Sequence, residues 1–180
     1  MYFSSMNKVW YVLNTGQTIS INDISKHIVI SSKWKNDPRV QLQYTIKDAE
    51  LPHQLAYRMY GSVDLYWVIL LVNDISDLNN QWPLTPTQVD SHISTKYPNN
   101  NPSDVHHYIS PNGLIADLLS IYVLYGATTD AQAISIGNLS SVSIYDYEHA
   151  LNDLKRNIII IDPDSVRLVT NEYENLMRQL

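Results

Sequence analysis

From Val40 onward the apolar positions change rhythm twice. In "RVQLQYTI" apolar and polar residues alternate, the period of a half-buried strand, and Tyr44, Thr45 and Ile46 are its most strand-like part. "KDAE" then turns the chain. Proline is tolerated in a first helical turn, so Pro52 predicts a helix from about Leu51, with Leu51, Leu55, Ala56 and Met59 on one face. Tyr60-Gly61 ends it, because glycine accepts the positive φ of a helix terminus. Asp64 suits the first turn of a second helix, where the dipole favours an anion, with Leu65, Val68, Ile69 and Val72 as its stripe and Asn73 as its cap. The Pro-bounded "QWPLTP" around Trp82 is expected as an edge strand returning beside the first. Residues 44–86 thus read as strand, helix, helix, strand.

Residues 1–43 read as an N-terminal arm with short strands, "KVWYVL" and "KHIVISS", separated by "NTGQ" and "NDIS". Asn36, Asp37 and Pro38 carry turn chemistry before the module. Residues 87–142 are expected as a loop-rich connecting region: a short helical pattern, a polar Asn/Pro loop and the strand "DVHHYI". "GLIADLLSIYVLYG" fits a helix or a pair of buried strands, since period alone does not separate the two in short apolar runs. "ATTDAQAISIGNLSS" reads as loop with a strand inside it. In residues 143–180, Ser143 precedes the helix "IYDYEHALNDLKR", acids early and bases late. The run Asn157–Ile161 follows. Asp162-Pro163 then starts a last helix on which Val166, Val169, Tyr173, Leu176 and Leu180 recur. The fold class is α+β.

Composition narrows the function more than the fold. Lys and Arg total 12 against 18 Asp and Glu, the net charge is -6, and the bases form no stripe, so no nucleic-acid partner is expected. The longest apolar run, Leu65 to Val72, is far short of the ~20 residues of a membrane helix, so no membrane partner is expected either. The first residues lack a basic region followed by an apolar stretch, which predicts a protein that works where it is made or leaves within a larger assembly. The absence of cysteine removes disulfides, thiol nucleophiles and thiolate metal sites. His106-His107 with Asp104 is the densest group of metal-ligand types, but neighbours on a strand point to opposite faces and are not expected to share an ion. Asp48 and Glu50 read as a solvated cap. There is no nucleophile elbow, phosphate loop or dinucleotide fingerprint. The expectation is a non-enzyme with no cofactor and no metal. The aromatic set of 13 Tyr, 4 Trp and 1 Phe is of the kind that protein interfaces favour, and tyrosine also sits well on strands.

"YTIKDAELPHQLAYRMYGSVDLYWVILLVNDI" resembles a LysM domain from Tyr44 to Asn73, departing at the first turn, where Ala49-Glu50-Leu51-Pro52 stands in place of a Gly-Asp-Thr-type run. A wider resemblance rests on "MYFSS", that module extended to "QWPL", "DVHHYI" and "YDYEHALNDLKRNIIIIDPDSVRLVTNEYENLM". In this the chain is similar to the baseplate wedge subunits of contractile-tailed bacteriophages, the gene-53-product family, apart from Ser110 to Ser141. That resemblance implies a LysM-like module within a virion protein of the tail baseplate, assembled in the host cytoplasm. It also implies other wedge subunits and the central hub region as partners, in multiple copies of a sixfold ring. A LysM-type peptidoglycan-binding module is the alternative. The candidate partner-binding residues are Tyr2, Phe3 and Trp10 in the arm, Trp67 and Trp82 in the module, and Ile159, Ile161, Val169, Tyr173 and Leu176 near the C-terminus. Trp67 and Trp82 are expected to mix core and contact roles. The run Asn157–Ile161 either pairs with a partner's sheet or is a buried internal strand.

Overall fold

The computed structural model describes Met6, residues 8–23, Trp34 and residues 37–179. The fold is α+β. In chain order the elements are β1 (Lys8–Val12), β2 (Thr18–Asn22), β3 (Gln41–Thr45), α1 (Pro52–Tyr60), a 3-10 turn (Val63–Leu65), α2 (Tyr66–Val72), α3 (Leu78–Gln81) and α4 (Pro86–Lys96). They continue with β4 (Val105–Ile109), β5 (Ile115–Ala116), α5 (Leu118–Tyr125), α6 (Asp130–Gly137), β6 (Ser140–Ser143), α7 (Ile144–Leu154), β7 (Asn157–Ile161) and α8 (Val166–Gln179). Contacts group them into two compact units, Met1–Pro83 with Lys155–Leu180, and an inserted Leu84–Leu154. The strand expected at "KHIVISS", together with Tyr2, Phe3, Asn36 and Leu180, lies outside the described residues.

In the first unit the strand, two helices and closing strand are present, but the closing strand is not "QWPLTP". Pro83 and Pro86 deny that segment a ladder, and Trp82 ends the four-residue α3 instead, its buried indole Nε1 donating to the Glu50 carbonyl at 2.9 Å. The strand beside β3 is β7, antiparallel, with Gln41 opposite Ile161 and Thr45 opposite Asn157. This resolves the isoleucine run. Ile158 and Ile160 pack with Leu55, Ala56, Ile69 and Trp82 on one face, while Ile161 packs with Trp67, Val68, Val169 and Tyr173 on the other. A strand covered on both faces reads as a continuous apolar run.

Asn73 fixes β7 to α2. Its Nδ2 donates to the carbonyls of Ile69 (2.8 Å) and Ile159 (2.6 Å), and its Oδ1 accepts from the Ile159 N–H at 2.8 Å. One side chain therefore ends the helix and seals part of the outer edge of β7. The Tyr60 hydroxyl accepts from the Ile161 N–H at 3.2 Å along the same edge. Burial is the main reason that this phenol is pushed up to about 12. α1 begins and ends as the sequence predicts, with Pro52 in its first turn and Gly61 at φ 71° after its last. Leu51 is exposed, because it precedes the helix instead of lying on its inner face. α8 starts at Val166 and not at Pro163: the Asp162 carbonyl accepts from Ser165 and Val166 in a preceding turn.

The inserted unit has a small core of Val89, Ile93 and Ile144, flanked by Leu84 and Tyr97, and a three-stranded sheet in the order β5-β4-β6. "GLIADLLSIYVLYG" becomes β5 and α5, with Asp117 capping the helix through the Leu119 and Ser120 N–H groups. The loop with an internal strand expected at "ATTDAQAISIGNLSS" is instead largely the helix α6, which Thr129 caps and Asn138 ends at φ 47°, and only its last two residues enter β6. The Ser143 hydroxyl accepts from the Asp146 N–H at 3.0 Å and so starts α7. Asn152, buried on α7, holds Leu84 by both backbone groups: Oδ1 accepts from the Leu84 N–H at 2.7 Å, and Nδ2 donates to its carbonyl at 3.0 Å.

Candidate interaction surfaces

Two exposed apolar surfaces stand out, one in each unit. In the first unit β1 and β2 form an antiparallel ribbon closed by a turn in which Gly16 takes φ 79°. Its strand side chains are exposed apart from half-buried Asn22. Trp10 is 74% exposed, with Val9, Tyr11, Val12, Ile19 and Ile21 exposed around it. Alternation sets Val9, Tyr11, Ile19 and Ile21 on one apolar face and places Trp10 and Val12 among Lys8, Thr18, Ser20 and Asn22 on the other, and among the described residues neither face is covered. In the inserted unit the uncharged helix α5 leaves Leu119, Val123, Leu124 and Tyr125 exposed, next to Leu114 and Ile115. A helix apolar on every side belongs in an interior.

The carboxylates of Glu50 and Glu148 are satisfied internally. Glu50 is buried at the turn into α1, not solvated. Its carboxylate accepts from the Tyr44 hydroxyl at 2.9 Å and the Lys47 N–H at 3.1 Å, and it pairs with Arg58 at 2.5 Å. Burial first, then Glu50, raises the Tyr44 phenol above its ordinary value. Asp48, largely exposed, pairs with Arg156 at 2.7 Å. In the inserted unit buried Glu148 accepts from Lys96 Nζ and the Tyr97 hydroxyl, both at 2.8 Å, and faces His92 at 3.6 Å. Burial pushes the Glu148 carboxyl up, but the hydrogen bonds from Lys96 and Tyr97 outweigh it and leave it below the ordinary value.

His106 and His107 correct a sequence argument. The pairing of β4 with β6 shifts register between Val105 and His107, and this irregularity brings the two rings together, Nδ1 to Nδ1 at 2.9 Å. His106 also stacks on Tyr147 at 4.0 Å. Among the described residues no group of three or more His, Asp or Glu is placed to hold a metal ion. No single described helix is long and apolar enough to cross a membrane.

The model of the family described as base plate wedge protein 53 matches residues 1–123, more than half of the chain. The chain belongs to that family. A curated relative, Baseplate wedge protein gp53 of Enterobacteria phage T4, is 27% identical over 143 residues, an alignment covering 76% of this chain and 73% of that protein. The resemblance read from the sequence is thus confirmed at the level of the family, and with it a structural place in the baseplate of a phage tail. The match to this wedge family includes the β1–β2 ribbon and α5 as far as Val123.

Of the candidate residues in this wedge-family chain that are described, Trp10 is the one classed as exposed. Trp67, Trp82, Ile161, Val169 and Tyr173 lie in the core, where the Trp67 and Tyr173 rings meet at 4.6 Å. The α8 stripe does have a partner, and it is the chain's own α2 and β7. Leu176 is half-buried against the same cluster, and half-buried Ile159 lines a groove of about 680 Å³ beside β3. The α5 surface was not among the candidates. Its signal was present in "LLSIYVLY", eight residues without a charge, but the run fitted a buried element equally well.

Proposed function

We propose that this chain is a structural subunit that joins neighbouring wedge subunits of the baseplate into a ring around the central hub region, in multiple copies of a sixfold assembly put together in the host cytoplasm. The observation that carries the reading is the β1–β2 ribbon, with Trp10 at 74% exposure on one face and exposed Val9, Tyr11, Ile19 and Ile21 on the other. An isolated two-stranded hairpin is marginal in water, so a ribbon of this composition gains its stability from a surface laid against it. Exposed patches beyond a few hundred Å² mark interaction sites, and α5 supplies a second one on the other unit. Two uncovered surfaces on separate units suit a protein that links neighbours.

The test is capture of the other wedge proteins of the same phage by the full chain and by two variants, Trp10→Ser with Tyr11→Ser, and Leu119→Ser with Val123→Ser. All substituted side chains are exposed, so both variants should keep the wild-type circular dichroism spectrum. Each is expected to lose one neighbour and keep another. Undiminished capture by both variants refutes the reading. Saturable sedimentation with insoluble peptidoglycan, without wedge capture, would replace it by the glycan-binding alternative.

A further inference from the structure

We infer that the free edge of β3 is a receptor for an extended strand of a neighbouring baseplate subunit, which it takes up by backbone hydrogen bonding. The inference rests on the joining role proposed above for the identity of the donor. The geometry of the edge is independent of it.

The parity of the β3–β7 ladder decides which backbone groups face outward. The Ile46 N–H donates to the Arg156 carbonyl at 2.8 Å, and the Asp162 N–H to the Val40 carbonyl at 2.8 Å. With the register that sets Leu42 opposite Ile160 and Tyr44 opposite Ile158, even-numbered residues of β3 turn their backbone groups toward β7. Gln41, Gln43 and Thr45 therefore turn theirs away. On β7 three of the outward groups are taken: Asn73 binds both groups of Ile159, and Tyr60 accepts from the Ile161 N–H. The central part of one edge of this two-stranded sheet is thus closed by side chains of the same chain.

The other edge is open among the described residues. Among the described residues nothing bonds the backbone N–H or C=O of Gln43 or Thr45, and both residues are exposed. Nor is the edge blunted. Proteins protect open edges with charges, prolines, bulges or covering elements, whereas "QLQYT" has no charge and no proline, and pairs over five positions without a register shift. A regular, uncharged edge with four outward backbone groups at Gln43 and Thr45 is complementary to an extended peptide. The side-chain surroundings fit the same occupant. On the face carrying Gln43, Thr45, Asn157 and Ile159 the groove of about 680 Å³ lies beside the strand, and on the opposite face Leu42 is 41% exposed. Alternate side chains of an added strand would meet the groove and Leu42 in turn, the arrangement by which strand addition combines backbone affinity with side-chain selectivity.

The experiment is hydrogen exchange with fragmentation to single residues, comparing the free full chain with the same chain in purified baseplates. The Gln43 and Thr45 amides are expected to exchange freely in the free chain and to slow by about 100-fold or more in the baseplate. The Leu42 and Tyr44 amides, already in the ladder, should be slow in both. Gln43→Pro removes one outward donor and no ladder donor. It is expected to keep the protection of Leu42 and Tyr44 in the free chain and to cut incorporation into baseplates at least tenfold. Protection of Gln43 and Thr45 already in the free chain would mean that the chain seals its own edge, and would overturn the inference. Unchanged fast exchange in baseplates that contain the chain would overturn it and leave the joining role standing. A chain that never enters baseplates removes both.

Discussion

Replacing Asn73 by Ala tests whether one amide joins the helical and strand layers of the first unit. The substitution removes the donor to the Ile69 and Ile159 carbonyls and the acceptor for the Ile159 N–H. Each buried polar group left without a partner costs about 1–3 kcal/mol, so the two groups of half-buried Ile159 alone imply about 3 kcal/mol. That is a large share of the stability of a typical domain. All four tryptophans, at positions 10, 34, 67 and 82, belong to the first unit, so tryptophan fluorescence in urea follows that unit and not the inserted one. With a urea slope of about 2 kcal/mol per M, the midpoint should fall by about 1.5 M. Asn73→Asp keeps the acceptor but sets a carboxylate oxygen against two carbonyls, and should be at least as damaging at pH 7. A fall of less than about 0.3 M for Asn73→Ala would show that water replaces the amide freely, and the reasoning would fail.

Two further outcomes follow from single residues. Gly61→Ala forces a side chain into φ 71° with nothing within 4 Å of its Cβ, so the cost is conformational alone, about 1 kcal/mol, read as a lower urea midpoint with unchanged partner capture. Glu148→Gln should lower the melting temperature of the inserted unit at pH 7, measured by calorimetry. Because the folded Glu148 carboxyl titrates below its ordinary value of 4.5, its stabilisation is fully present above 4.5 and is lost as pH falls through the folded value. The gap between wild type and variant should therefore close in acid, and a gap constant from pH 7 to pH 3 would contradict the assignment.

The local elements were legible where sequence carries backbone chemistry. Pro52 and Gly61 mark both ends of α1, Ser143 the start of α7, and "VHHYI" a strand, because caps and turns act over a few residues. The pairing of β3 was not legible. Its partner lies 112 residues away, and nothing local in "QWPLTP" or "NIIII" says which of them closes the sheet. The isoleucine run left both possibilities open because continuous apolarity describes a strand covered by any layer, of this chain or another. The interaction surfaces divide in the same way. Trp10, expected in an extended arm, is exposed on the ribbon. Trp82, of the same residue type, is buried with a 2.9 Å bond to Glu50, a contact that only the folded turn creates. The register irregularity at His106 reversed an inference from strand alternation, since alternation holds only for a regular ladder.

The grip of Asn152 on Leu84 bears on the order in which this chain can be completed during synthesis. β3 leaves the ribosome long before β7 exists, and the connection between them must be closed across the whole inserted unit. Loop closure costs more as the loop lengthens, by about 0.6 kcal/mol per doubling. Once the insert has folded, Asn152 holds its first residue beside its last helix, and the long connection shortens in effect to the segments that flank it. With its two ends held together, the insert leaves β3 and β7 joined through the short flanking segments, so that closing the sheet no longer costs the entropy of a loop of that length. A ribosome stalled before residue 157 should carry α1 and α2 with an unfinished sheet, and β3 would then be open on both of its edges.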